Sequence, residues 1–339
     1  MTNIFIVLFA IILSSCSAIK PLQSNQDQLA QIDLGEYGSN PGKNSQNTVI
    51  TPPADTIRIG ENGGDVYTQN ETEINSSGED QAKRLRISLS FGPGLYRTLN
   101  YVSVLKVLEK HNLAPKIVTG TEFGAVVAAM YATGMTPEII EWNFYKYFKE
   151  KRNYRPYSSE WIEEIDTFLL EKFKNKNIED SSRKFFITLF NFKNKKTYYF
   201  DKGNIRNLLL LNFKLSNTNQ NARKNVYSTA MESEVFNPRL IKKVGSDFSI
   251  GVDSLGTKFE LEDSNEYLIG IYGKISGKIA KEKKGFDFFI SLPLSSMSLD
   301  STANVASYMM SSQQVIESQI NSLKKTIQIK TSPSANGLE

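Results

Sequence analysis

Hydrophobic and polar positions divide the chain into three parts. An unbroken apolar run occupies residues 4–13, a long polar stretch follows to about Lys83, and regular patterning begins only near Arg84. From there, short apolar runs alternate with segments whose apolar residues recur every three or four positions. Strands that alternate with helices predict an α/β fold, with a mainly parallel sheet and helices on both of its faces.

The predicted elements follow one another closely. Strands are expected at residues 86–91, 116–119, 184–190, 196–200 and 287–292, and helices at 99–110, 123–133, 161–174, 205–213 and 305–323. A further helix begins at Thr136-Pro137-Glu138, because Thr can cap its first turn, Pro fits the first helical position and an acid favours the N-terminal end.

The apolar run near the N-terminus ends at Leu13-Ser14-Ser15-Cys16. It is too short to span a membrane and fits the core of a secretory signal that ends at small residues. The segment resembles a bacterial lipobox, which implies that Cys16 is lipidated and becomes the mature N-terminus. The alternative is a buried N-terminal strand with an incidental cysteine, and it has one point in its favour: no Lys or Arg precedes the apolar run.

These patterns predict four segments: a signal peptide at 1–15, a disordered tether at 16–83, a folded domain at 84–330 and a disordered tail at 331–339. The tether is rich in Gln, Asn, Ser and Gly and cannot bury enough apolar surface to offset its ordering entropy. The expected location is the bacterial cell envelope, attached through the lipid. The outer membrane is favoured over the inner one, since Ser17 follows the cysteine.

Charge and cysteine content narrow the function classes. The formal net charge is only +4, and 40 basic residues are interleaved with 36 acidic ones, so a nucleic-acid partner is not expected. Cys16 is the only cysteine and His111 the only histidine. The folded domain therefore has no disulfide, and a Ser-His-Asp arrangement centred elsewhere is not expected, because His111 follows a helix end on its polar side. No metal or other cofactor is expected.

The candidate chemistry is concentrated at Gly120-Thr121-Glu122-Phe123-Gly124. A short apolar strand precedes these residues and a helical segment follows them, which is the setting of a G-x-S-x-G nucleophile elbow. The glycines allow a tight turn that projects the middle side chain over the sheet. In this chain the middle residue is Glu122 in place of serine.

Two segments together resemble patatin-like lipid acyl hydrolases. Residues 89–105 read L-S-F-G-P-G-L-Y-R-T-L-N-Y-V-S-V-L and resemble the glycine-rich loop and first helix of that family, with Gly92, Gly94 and Arg97 at loop positions. Residues 120–134 follow the family's elbow and helix. The resemblance implies a three-layer patatin-like sandwich, a Ser-Asp dyad and an oxyanion hole made by the loop.

Later segments carry the same resemblance more weakly. Val235-Phe236-Asn237-Pro238 and Gly285-Phe286-Asp287-Phe288-Phe289-Ile290 resemble family segments near the end of the sheet. The family's dyad Asp lies in a glycine turn about twenty residues before the latter strand. Counting back reaches residues 268–271, which hold no acid, while Asp247, Asp253 and Asp263 fall in what reads as an insertion.

Three departures therefore affect catalysis. Glu122 has no hydroxyl that a base could activate, no dyad Asp is found, and Pro93 removes one backbone N–H from the oxyanion loop. The preferred hypothesis is an inactive, membrane-anchored patatin-like protein that binds lipid or acyl chains, or a protein partner of unknown identity. On this hypothesis Glu122→Ser alone restores no esterase activity.

Two alternatives remain open. Glu122 could act as a carboxylate nucleophile, which would need a base that the sequence does not place. Residual lipase activity through Thr121 is the least favoured, because its side chain should point away from the pocket.

Glu122 also has a structural hypothesis. Its carboxylate is expected to fold into the former oxyanion site near Gly92 and Gly94, because free N–H groups at a helix N-terminus favour an anion. The alternative is a solvent-facing Glu122 at the turn.

Overall fold

A computed structural model describes residues 85–150, 154–215, 226–256, 266–301 and 304–331. The predicted signal peptide, Cys16, the tether and the tail beyond residue 331 lie outside the described residues, as does Asp263. Within the described residues, no helix is long and apolar enough to cross a membrane.

A mixed sheet forms the centre of the domain. Its described strands are β1 (Ile87–Phe91), β2 (Ile117–Gly120), β3 (Lys184–Asn191), β4 (Lys196–Phe200), β5 (Tyr227–Thr229), β6 (Phe248–Asp253) and β7 (Phe288–Ser291). The spatial order is β4-β3-β2-β1-β6-β7, and β5 also pairs with β3. Strands β3, β2, β1, β6 and β7 are mutually parallel, whereas β4 and β5 run antiparallel to β3.

Helices surround this sheet. Those of the described residues are α1 (Tyr101–Lys110), α2 (Phe123–Ala132), α3 (Pro137–Glu150), α4 (Ser159–Phe173), α5 (Ile205–Asn212), α6 (Pro238–Lys243), α7 (Glu266–Glu282) and α8 (Val305–Thr331). Helix α2 is buried along its whole length and packs on β1, β2 and β3. A mainly parallel sheet with helices around it confirms the predicted α/β, patatin-like architecture.

Local sequence signals account for most of these elements. Every residue of β1 and β2 is buried, so both faces of these strands are covered, and the short polar side chains of Ser88, Ser90 and Thr119 lie inside as well. Helix α3 begins where Thr136-Pro137 predicts it, and the backbone N–H of Ile139 donates to Thr136 Oγ1 at 3.4 Å. Helix α1 is preceded by a 3-10 helix, Leu95–Asn100, so the predicted helical segment begins before the α-helix proper.

The region between α6 and β7 contradicts the sequence-based expectation. Residues Phe248–Asp253 are not part of an insertion: they form a fully buried central strand that pairs with β1 on one side and β7 on the other. Residues 268–271, where the dyad turn was expected, lie inside helix α7. The count along the sequence misplaced the dyad turn because this strand was not recognised. Ser249 and Gly251 interrupt its hydrophobic pattern, and these small residues leave space for neighbouring side chains. A β-carbon on Gly251 would lie 2.7 Å from the Phe289 ring.

Candidate functional site

The elbow between β2 and α2 has the strained geometry of a nucleophile turn. Glu122 adopts φ 58° and ψ −129° and immediately precedes α2. This region of backbone conformation is costly for a residue with a side chain and persists only where the surroundings enforce it. The flanking glycines are required by close packing, since a β-carbon on Gly120 would lie 2.4 Å from the Gly124 carbonyl and one on Gly124 would lie 2.5 Å from the Gly92 oxygen.

The Glu122 side chain turns into the loop that follows β1. Its Oε2 atom accepts hydrogen bonds from the backbone N–H groups of Gly94 and Leu95, each at 2.9 Å. Two adjacent amides that converge on one oxygen form the kind of site that stabilises an oxyanion during acyl transfer. The carboxylate thus occupies a pair of loop donors, as expected from the sequence for Gly94, although the second donor is Leu95 and not Gly92. Glu122 is not solvent-facing, since its exposure is 0%.

Two tyrosines complete the coordination of the carboxylate. Tyr157 and Tyr272 both donate their hydroxyl protons to Glu122 Oε1, the latter at 2.5 Å, and their own oxygens are 2.7 Å apart. Tyr272 projects from α7, whereas Tyr157 lies just before α4 with a positive φ of 67°. Each oxygen of Glu122 therefore accepts two hydrogen bonds, and the two phenols cover the side opposite the loop.

The site is electrostatically unusual. Burial raises the pKa of the Glu122 carboxyl, while the hydrogen bonds from Tyr157, Tyr272, Leu95 and Gly94 oppose that shift. Burial, and then the charge of Glu122, raise the pKa of Tyr157 and Tyr272 well above 10.0, so both phenols remain donors. A buried carboxylate is tolerated in proteins when it is fully hydrogen-bonded, and this one meets that condition.

The three predicted loop residues have different tasks. Gly94 donates to Glu122, but the Gly92 N–H donates to the Val252 carbonyl at 2.9 Å and is not available to the site. Arg97 is buried and donates to three backbone carbonyls, Met297 among them at 2.5 Å, which fixes the loop against the segments after β6 and β7. Pro93 removes no needed donor, because Gly94 and Leu95 supply both.

An acid does lie beside the loop. Asp253 is the last residue of β6, and its neighbour Val252 pairs with Phe91, so the carboxyl ends of β1 and β6 meet at one edge. The Asp253 side chain is buried and accepts from the Leu255 N–H at 2.9 Å. Burial raises its pKa from 3.8 to about 6, while hydrogen bonds from the backbone amides of Leu255 and Gly256 oppose that shift. The expectation that no acid lies near the elbow was wrong because the strand Phe248–Asp253 was not recognised from the sequence.

The other residues weighed from the sequence lie away from the carboxylate. Thr121 Oγ1 donates to the Val235 carbonyl at 2.7 Å, so its hydroxyl is engaged elsewhere. His111 lies at the end of α1, where its Nε2 atom is 2.8 Å from Glu317 of α8. Neither side chain is a hydrogen-bond partner of the Glu122 carboxylate, so this geometry gives no support to Thr121 as a substitute nucleophile or to His111 as its base.

Four residues that contact Glu122 were not predicted from the sequence: Leu95, Tyr157, Tyr272 and Asn212. Asn212 at the end of α5 donates to the Glu122 carbonyl at 3.3 Å and supports the turn from below. The tyrosines come 35 and 150 positions after Glu122 along the chain, and no local motif marks either of them. Only Leu95 carried a signal, since it follows Gly94 in the glycine-rich loop.

Comparison with known protein families identifies this arrangement. The model of the family described as patatin-like phospholipase matches residues 89–265, more than half of the chain. The chain belongs to the patatin-like phospholipase family. The matched segment of this patatin-like chain includes the loop, the elbow and β6 with Asp253. A sequence search of curated proteins found no match.

The patatin-like domain offers no metal centre in the part of the chain that the structure describes, where no group of three or more His, Cys, Asp or Glu side chains converges. The chemistry available at the elbow is therefore that of one buried carboxylate, two phenols, two backbone amides and a neighbouring aspartate. The amides and phenols donate to the Glu122 carboxylate itself, and no hydroxyl nucleophile occupies the serine position.

Proposed function

We propose that this chain is a catalytically inactive patatin-like protein, attached to the bacterial cell envelope through Cys16, that acts as a binding module for lipid or a protein partner. The observation that carries the proposal is the position of the Glu122 carboxylate on the Gly94 and Leu95 amides. Acyl transfer needs those amides for the oxygen of the substrate, and an internal carboxylate that already holds them excludes it.

The geometry counts against Glu122 as a nucleophile. A carboxylate attacks through a free oxygen lone pair, whereas each Glu122 oxygen accepts two hydrogen bonds, three of the four donors being buried and Tyr157 half-buried. No solvent reaches the side chain, since its exposure is 0%. An attacking carboxylate would have to leave all four donors and expose itself to substrate, at the cost of four charge-assisted hydrogen bonds.

Because Asp253 lies at the end of β6, the proposed inactivity no longer depends on a missing acid. The oxyanion amides and a buried acid both remain at the same edge of the sheet, so the missing serine hydroxyl is the main chemical loss. On this view Asp253 occupies the place from which a dyad acid could act. On this proposal, Glu122 alone accounts for both losses: it provides no hydroxyl nucleophile, and its carboxylate fills the oxyanion site.

The enzymatic part of the proposal is tested by hydrolysis of p-nitrophenyl butyrate. We expect no turnover by the full chain above that of its Glu122→Gln variant. Turnover by the full chain that Glu122→Gln abolishes would refute the proposed inactivity and support the carboxylate mechanism.

A serine variant tests the part assigned to Asp253. The sequence-based expectation that Glu122→Ser stays inactive depended on the absence of an acid. With Asp253 at the strand end, we expect Glu122→Ser to gain measurable turnover and the Glu122→Ser/Asp253→Asn pair to lose it. Turnover that survives in the double variant would show that Asp253 does not act as the base.

The proposed anchoring is tested separately. We expect a palmitate analogue to label the protein in growing bacteria and the protein to fractionate with outer membranes. Cys16→Ser should lose both the label and the membrane fraction, while Ser15→Ala, which keeps a small residue before the cysteine, should retain them. Equal labelling of Cys16→Ser and the unaltered chain would contradict the lipoprotein assignment.

A further inference from the structure

A concave site lies away from Glu122, between α1, α3 and the first turns of α8. It is a groove of about 680 Å³, within the range of small-molecule sites. Its apolar lining is contributed by Leu99, Val102, Phe144, Phe148, Val305 and Met309. None of the residues that coordinate Glu122 belongs to this lining, so the groove is distinct from the elbow site.

Helix α8 closes one side of the groove. The Ser103 hydroxyl of α1 donates to the Met309 carbonyl at 3.0 Å, which holds the two helices together along the floor. Met309 and Met310 both line the groove, and Met310 is exposed. Flexible thioether side chains adapt to an apolar ligand better than branched ones, so this wall suits a chain of variable conformation.

The mouth of the groove carries an excess positive charge. Lys106 forms an ion pair with Glu141, and both residues line the groove. Lys149 also lines it, is exposed, and has no ion-pair partner among the residues that the structure describes. One uncompensated cation beside an apolar cleft matches a ligand with a long apolar body and a single negative charge.

Exposed aromatic residues on α3 extend the apolar surface beyond the groove. Trp142 and Tyr145 stack with ring centroids 5.7 Å apart, and their exposures are 64% and 58%. Contiguous exposed apolar surface marks ligand or partner sites, whereas singly scattered apolar residues do not. Tyr145 itself lines the groove, so this pair continues the same site.

We propose that this groove binds one long-chain fatty acid, with the acyl chain along Val102, Phe144 and Met309 and the carboxylate at Lys149. The inference rests on the proposed binding role of the domain and gives it a site and a ligand class. It does not depend on the chemistry at Glu122, because the two sites share no lining residue.

The test is displacement of a dansyl-labelled fatty acid from the full chain by palmitate. Palmityl alcohol has the same chain without the charge, and lysophosphatidylcholine carries a zwitterionic headgroup. We expect palmitate to displace the probe at least about fivefold more effectively than either comparator, given one ion pair at a partly exposed site. Equal displacement by palmityl alcohol would overturn the role of Lys149.

Three variants locate the site. Ala306→Trp, at an exposed lining position of α8, should fill the groove and weaken palmitate binding at least about tenfold. Lys149→Glu should weaken it about fivefold, and Lys146→Glu, one turn earlier on α3 and outside the lining, should change it less than about twofold.

Circular dichroism checks that Ala306→Trp is folded. If Ala306→Trp does not fold, Lys149→Glu still tests the proposal. Undiminished binding by a folded Ala306→Trp, or equal effects of the two lysine variants, would refute the groove as the site. Failure of palmitate to displace the probe would refute this inference and leave the proposed inactivity standing, since ester hydrolysis measures that part independently.

Discussion

Removal of the Glu122 carboxylate is the perturbation whose effect follows most directly from the structure. In Glu122→Ala, the buried N–H groups of Gly94 and Leu95 lose the acceptor that both share. One phenol can still donate to the other, because their oxygens are 2.7 Å apart, but the second hydroxyl loses its acceptor. The cost therefore falls on the two amides and on one phenol hydroxyl.

The magnitude can be worked from these contacts. Each buried donor left without an acceptor costs about 1–3 kcal/mol. Burial of the Glu122 charge is unfavourable and raises its pKa, so removal of that charge offsets part of the loss. We expect Glu122→Ala to lower the free energy of unfolding by about 3 kcal/mol, which corresponds to a fall of about 10 °C in the melting temperature of a domain of this size.

Glu122→Gln separates the hydrogen bonds from the charge. Its amide oxygen can still accept from Gly94 and Leu95, so this variant should lose only about 1 kcal/mol. Thermal and urea unfolding at about pH 8 measure both changes, with Glu150→Ala on the exposed end of α3 as a control expected to change stability by less than about 0.5 kcal/mol. If Glu122→Ala were as stable as the unaltered chain, or more stable than Glu122→Gln, the assigned role of the carboxylate would be wrong.

Three further predictions concern Asp253, Arg97 and Tyr272, which lie around the loop and the elbow. Because burial raises the pKa of Asp253 to about 6, the native state binds its proton more tightly than the unfolded chain, and stability from this group rises as the pH falls through about 6. The unaltered chain should therefore gain about 2 kcal/mol relative to Asp253→Asn between about pH 7 and about pH 4.5 in urea titrations, and a constant difference would contradict the raised pKa. Arg97→Lys should cost about 3 kcal/mol in the same measurement, because an ammonium cannot reach the three carbonyls that the guanidinium binds, and an unchanged midpoint would argue against that clamp. Tyr272→Phe should cost about 1–2 kcal/mol while Tyr157 keeps Glu122 covered, and a cost equal to that of Glu122→Ala would show that Tyr272 alone holds the carboxylate.

Much of the fold was readable from local pattern. The strands β1 to β4 and the helices around the elbow occur where hydrophobic runs, the Thr136-Pro137 start signal and the glycines of the turn predict them. These signals are local because strand and helix periodicity and turn chemistry depend on neighbours along the chain. The motif order also predicted the patatin-like family, and the match over residues 89–265 confirms it.

The strand that carries Asp253 was not readable in the same way. Its residues Phe248–Asp253 mix large and small side chains, since Phe289 of the neighbouring strand packs where Gly251 has no side chain. This mixture of large and small residues is determined by contacts across the sheet. In the sequence alone it resembles the pattern of an irregular loop. A count of residues from a later strand then misplaced the acid, because it assumed a spacing that the helix α7 does not keep.

The sequence by itself determined that the elbow holds a glutamate, that its glycines permit the turn, and that no hydroxyl occupies the nucleophile position. Only the tertiary structure decided what the glutamate does. Its four donors come from the loop after β1, the segment before α4 and the helix α7, which are far apart along the chain and meet only when the sheet is assembled. A buried carboxylate requires such a set of donors, and no pattern of neighbours in sequence specifies one.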